Sequence, residues 1–177
     1  DPLPEAAGEA DRAVRHPRPG HADLAGALKH NTHDARDVLE RASARETAAR
    51  VAAGALARLF LREHAIDIAS HTVSIGDVAL AAPSLVSWDR IAALSDDSPV
   101  RCVDPDTSTR MMQAIDRARS AGDSVGGAVQ VVARGVPPGL GSCRQWDTRL
   151  EGRLGQAILS IHAVKAVEIG EGVAGAA

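Results

Sequence analysis

Apolar residues recur at helical spacing through a long early stretch of the chain. From about Asp34 to His64, Val51, Ala55 and Leu59 form one stripe with Leu56 and Phe60 beside it, and no proline intervenes. This spacing predicts a long amphipathic helix in which Gly54 is a single tolerated break. Over Ile66–Ile75 (IDIASHTVSI) the pattern becomes alternating and β-branched. It predicts a strand whose Ile66, Ile68, Val73 and Ile75 serve the core, with a shift of phase near Ser70. A second helix is expected from Asp104 to Gly122, capped by Asp106, Thr107 or Ser108. Its buried face is Met111, Met112, Ile115 and Ala118, and Gly122 closes it. GDSVGGAVQVVARGV reads as a turn into a strand, Val125–Val136, in which Gly126 and Gly127 mark a bulge or a close backbone approach. A third helix is predicted from about Trp146 to Val164, with Leu150, Leu154, Ala157, Ile158 and Ile161 on its apolar side. Residues 1–17, with three prolines, form a loosely structured lead-in, and Gly76–Pro99 is mixed, anchored by Trp88. Helices together with strands in separate runs indicate an α+β class, and the 177 residues fit one domain.

Composition changes this picture in one respect. The chain has one Phe, two Trp and no Tyr, although 45% of its residues are hydrophobic, so its core is built from small aliphatic side chains. A formal charge of −3 supplies no global field for nucleic acid or an acidic membrane. No apolar run approaches the roughly 18 residues of a membrane span, and no signal peptide is visible. Cys102 and Cys143 fit neither a metal-ligand spacing nor a disulfide framework, which points to a reduced, cytoplasmic setting. The chain opens on Asp1, as a piece of a longer polypeptide would.

Candidate chemistry gathers between Arg18 and Arg50. Arg18, Arg36, Arg41, Arg45 and Arg50 lie there, with Arg15 just outside, around His21. In RPGHAD, Pro19 and Gly20 place His21 on a tight turn. An imidazole exchanges a proton near neutrality and suits acid–base work; equally, His21 could simply start a helix and bond a backbone carbonyl. Ser43 and Glu46 have the spacing of a capping box. A helix starting there aims free N–H groups at the neighbourhood of Arg41 and Arg45, a ready anion site, although a plain capped helix with solvated arginines explains the same residues. PPGLGS, Pro137–Ser142, lacks the Gly-Lys-Ser/Thr of a phosphate loop. The methionines are core filler, His71 belongs to a strand face, and His162 with Lys165 suits a helix C-terminus.

Seven segments, in order, carry a resemblance: RPGHADLAGALK, ERASARETAARVAAGALAR, SHTVSIG, GDSVGG, GVPPGLGS, WDTRL and SIHAVKAVEIG. From Arg18 to Gly172 the chain resembles chorismate synthase, most closely the high-GC bacterial type. The resemblance implies helices sandwiched between antiparallel sheets, here incomplete, and assembly as a homotetramer. It implies 1,4-elimination of phosphate from 5-enolpyruvylshikimate 3-phosphate to give chorismate, in aromatic amino-acid biosynthesis. The reaction depends on reduced FMN without net redox change; NADP goes with the same resemblance, and reduction of the flavin by an external reductase and by a built-in activity are both open.

Carried over by position, His21 matches the second of the family's two active-site histidines, a general acid that assists phosphate departure or protonates the reduced flavin. Arg18 and Arg45 match substrate-holding arginines. Arg41, Ala42 and Ser43 match one FMN-contacting segment, and His162 and Ala163 match a second, in which an amide side chain usually precedes the alanine. No metal is implied. The family's glycine-serine-histidine segment, with its first catalytic histidine, has no counterpart in this chain, nor has the C-terminal part that completes the flavin site. The expectation is therefore a partial domain, 1–177. Two other readings stand beside the enzyme: a non-catalytic piece that binds flavin or anions weakly, and an unrelated anion-binding helical module.

Overall fold

The computed structural model describes residues 13–42 and 44–176. Most of the lead-in therefore lies outside the described residues, as does Ser43 and with it the expected capping box. The elements in order are α1 (Asp23–His30), α2 (Arg36–Leu39), α3 (Ala44–Glu63), β1 (Asp67–Ile75), β2 (Val78–Ala79), α4 (Trp88–Ala92), α5 (Pro105–Ser120), β3 (Gly127–Arg134) and α6 (Leu150–Leu159), with short 3-10 turns at Pro83–Leu85 and Gly172–Ala176. Helices plus one antiparallel sheet give the α+β class. The contacts divide into two compact units, Asp1–Ala57 with Gly141–Ile169, and Arg58–Leu140 with Gly170–Ala177.

The second unit holds the sheet, in the order β2-β1-β3, both pairings antiparallel. Ile75 pairs with Val78 across the two-residue turn Gly76–Asp77, where Gly76 takes φ 57°, the left-handed backbone a tight hairpin needs at its first central position. That Gly-Asp pair is the signal the sequence reading passed over in calling Gly76–Pro99 mixed. Along β1 and β3, Thr72 faces Val129 and Ser74 faces Ala128, so Val73 is the extra residue of a bulge. The change of phase thus falls at Val73, not near Ser70. Gly127 sits opposite, where a Cβ would come within 2.4 Å of the Ser74 carbonyl oxygen, which bears out the expected close backbone approach.

Val78, Cys102, Met111 and Ala114 form the core of this unit, with Ile75, Leu80 and Val100 packed around them. α5 supplies Met111 because its N-terminus is anchored: Asp104 accepts a hydrogen bond from the Thr107 backbone N–H at 2.7 Å. The cap is Asp104, one residue before Pro105, and not Asp106, Thr107 or Ser108. Proline at the first helical position fits a backbone donor that would be unused anyway. The buried face is Thr107, Ser108, Met111 and Ala114; Met112, Ile115 and Ala118 are only half-buried. His71 is buried on β1, and its Nε2 lies 2.8 Å from Gln130 Oε1 on β3, so the ring donates from Nε2. Its Nδ1 has no hydrogen-bond partner among the described residues.

Two helical expectations change. The stretch Asp34–His64 divides into α2 and α3 beside Ser43, where a helix start was one of the readings: Arg41 N–H bonds the Val38 carbonyl and Ala42 N–H bonds that of Leu39, three residues back, which tightens and ends α2. The stripe on α3 is not buried either: Val51, Leu56, Leu59 and Phe60 are all more than half exposed, and α3 contains no buried residue. Periodicity marks which face gains from burial, but the covering surface has to come from elsewhere. α6 likewise is shorter than expected, Leu150–Leu159, and Leu154 and Ile161 are exposed.

Candidate functional site

The site begins with the turn that the sequence predicts. Gly20 takes φ 68°, and the His21 N–H reaches back to the Arg18 carbonyl at 3.4 Å. The chain then enters α1 with Asp23 in its first turn, where a carboxylate complements the helix dipole. Asp23 is fully buried, and it is paired. Arg18 donates from Nε to Oδ2 and from Nη2 to Oδ1, both at 2.8 Å, and its backbone N–H adds a third bond to Oδ2 at 3.0 Å. The planar guanidinium and the carboxylate meet fork to fork. These bonds, the Arg18 side chain's first, hold the Asp23 carboxyl far below its ordinary range, against the opposing effect of burial. The same pairing raises Arg18.

His21 leans on this clamp. Its Nδ1 lies 3.1 Å from Arg18 Nη2 and 3.3 Å from Asp23 Oδ1. A guanidinium only donates, so while Arg18 holds Nδ1 the neutral ring carries its proton on Nε2. When the ring is doubly protonated, Nδ1 turns donor toward Asp23. Either state keeps the imidazole against the same two residues.

Glu40 extends the cluster from the end of α2. It pairs with Arg45 and with Arg36, the latter at 3.4 Å, and it is close enough to contribute to raising Arg18. Arg18, His21 and Arg45 are thus gathered around two carboxylates, Asp23 and Glu40. Asp34 secures the start of α2 by accepting from the backbone N–H groups of Arg36 at 2.9 Å and Val14 at 2.8 Å, which holds its carboxyl below its usual range. Val14 thereby ties down the described part of the lead-in.

The remaining candidates are placed more loosely. Arg41 is exposed and makes no ion pair among the described residues; Ala42 is half-buried. His162 is exposed, and Ala163 takes φ 67°. Both lie beyond the end of α6, so the helix-dipole explanation of His162 and Lys165 fails. One long-range bond fastens this segment to α3: Arg50 Nη1 donates to Ser160 Oγ at 3.1 Å, two residues before His162. Sequence reasoning missed Asp23 and Glu40, the two acids that organise the arginines. Their signal was available, an acid five residues from each of Arg18 and Arg45.

Residues 6–177 match the protein family described as chorismate synthase. The chain is 54% identical to the chorismate synthase of Solibacter usitatus over 179 residues, covering 99% of this chain and 46% of that protein. It is 56% identical to that of Symbiobacterium thermophilum over 167 residues, covering 94% and 43%, and 56% identical to that of Moorella thermoacetica over 171 residues, covering 97% and 43%. A solved structure titled "Crystal Structure of Chorismate Synthase" superposes with a TM-score of 0.78 at 44% identity, over 88% of this chain and 49% of that one. The chain therefore spans about half the length of the curated relatives it matches.

Proposed function

The chain belongs to the chorismate synthase family, and we propose that it carries the proton-donating and part of the ligand-holding machinery for converting 5-enolpyruvylshikimate 3-phosphate to chorismate. The observation that carries this reading is the contact of His21 with the Arg18–Asp23 clamp, which supports a histidine of fixed orientation and tautomer beside guanidinium groups. In the proposed elimination, His21 acts as the imidazolium, its Nδ1–H turned to Asp23 Oδ1, and its Nε2 proton passes to the departing phosphate oxygen, leaving a neutral ring. Arg18 commits Nε and Nη2 to the clamp and keeps Nη1 for a substrate oxygen. Arg45, on the exposed side of Glu40, supplies a second fork for a carboxylate or phosphate.

The flavin assignment is consistent with the residues present. Arg41 has a guanidinium with no carboxylate partner among the described residues, a suitable donor for an anionic cofactor. Ala42 and Ser43 continue that segment, and His162 with Ala163 forms the second; an imidazole N–H replaces one donor of the usual amide. Reduced FMN, when bound, supplies transient electron density for loss of phosphate. Homotetrameric assembly and a cytoplasmic setting are part of the same proposal and rest on the resemblance. Among the described residues no helix is long and apolar enough to cross a membrane.

The test is a segment exchange. Residues 13–176 replace the matching part of the Solibacter enzyme, and the chimera is assayed anaerobically with reduced FMN and the phosphorylated substrate. Chorismate formation at a rate near the parent's supports the proposal. A folded chimera that binds flavin but forms none would overturn it.

A further inference from the structure

The second unit contains an open cleft of about 600 Å³ that involves none of the residues assigned above. Four arginines line it: Arg58 and Arg62 from the end of α3, Arg101 from the loop before α5, and Arg134 from the end of β3. Among the described residues, only two carboxylates line it with them, Asp67 and Asp96. Asp67 is shared, 3.1 Å from Arg134 Nη2 and 4.0 Å from Arg62 Nε. Asp96 bonds Arg101 at 2.8 Å, but its side chain is fully exposed and free to swing away. Among the described residues, Arg58 donates only to the Ile68 backbone carbonyl, at 3.3 Å. Four guanidinium groups facing two carboxylates leave two positive charges uncompensated.

The walls are held in place. Arg134 sits over the Trp88 ring, its Cζ 4.6 Å from the centroid, a cation–π contact that helps hold the guanidinium there. The Arg101 carbonyl accepts from the Thr72 backbone N–H at 2.9 Å, which fastens the base of that side chain to β1. Leu94 and Val131 add apolar surface to the lining, beside Ser70, while Ile91 is buried beneath it. Its volume is in the range of small-molecule pockets.

We propose that this cleft binds a phosphate monoester dianion with an apolar body. The two uncompensated charges match the dianion, guanidinium forks match its oxygens, and Leu94 and Val131 match the apolar part. None of its lining residues is among those assigned to the proposed elimination.

The chain's two tryptophans allow a direct test. Trp146 is 81% exposed, so Trp146→Phe leaves Trp88 as the only reporter without disturbing packing. This variant is titrated with phenyl phosphate, inorganic phosphate and phenol while Trp88 emission is followed. Phenyl phosphate is expected to saturate with a midpoint below about 1 mM, inorganic phosphate to bind at least about 5-fold more weakly, and phenol not to saturate. Adding Arg58→Ala should raise the phenyl phosphate midpoint at least about 10-fold. Arg58→Lys, which keeps the charge and loses the fork, should raise it less, and it decides alone if the alanine variant fails to fold. No saturable change, equal response to phenol, or a midpoint unmoved by either Arg58 variant would overturn the proposal.

Discussion

Gly26 and Val38 meet where α1 packs on α2, and a Cβ added at residue 26 would lie 2.3 Å from Val38 Cγ1. That closeness holds α2, with Arg36 at its start and Glu40 just past its end, against α1. Gly26→Ala removes a helix-interior glycine, a gain of up to about 1 kcal/mol. The overlap with a short β-branched side chain costs about 1–3 kcal/mol, as overpacking does. The clash should win, and chemical denaturation is expected to show a lower midpoint for the variant. An unchanged or higher midpoint would mean the two helices part without cost.

Acid should loosen the same turn. Asp23, Asp34 and Asp104 all have folded-state values below their ordinary ones, Asp23 chiefly through the Arg18 side chain, Asp34 through the Arg36 backbone and Asp104 through Thr107. A lowered carboxylate stabilises the fold above its unfolded value of about 4, and that stability is lost as pH falls below it. Thermal midpoints should therefore drop steadily below about pH 4. Asp23→Asn should be less stable at neutral pH and show a shallower acid slope. An acid slope identical to wild type would remove Asp23 from the account.

The contrast between α5 and α3 gives a third expectation. Met111 is completely buried, and Met111→Ala should cost about 3 kcal/mol. Val51→Ala and Leu56→Ala, at positions 68% and 70% exposed, should stay within about 0.5 kcal/mol in the 177-residue chain. Urea titrations of the three variants compare them directly. A large loss at Leu56 would show that α3 is packed in solution.

Activity in a full-length enzyme carrying this sequence tests the two candidate roles apart. His21→Ala should lower kcat about 10²- to 10⁴-fold with flavin affinity unchanged, since its proposed part is proton transfer. Arg45→Ala should mainly raise KM, because a fork on an exposed pair serves binding. Turnover insensitive to His21, or a substrate affinity insensitive to Arg45, would strike that residue from the site.

Much of this protein is settled by local chemistry. The turn at Pro19–Gly20, the helices around Met111 and Leu154, the β-branched strands and the close approach at Gly127 follow from backbone conformational limits and side-chain period, which act over a few residues. The ordered motifs likewise identify the family from the sequence. Tertiary structure decided what depends on distant partners. It placed the bulge at Val73, where β3 offers one residue against two, and moved the cap of α5 to Asp104. It left the stripe of α3 uncovered, since periodicity cannot supply the surface that buries it. Above all it gave Arg18 to Asp23 and Arg45 to Glu40. An arginine-rich stretch reads as an anion site by composition alone; only the fold shows which guanidinium groups already have their anion and which, like Arg41, have none among the described residues.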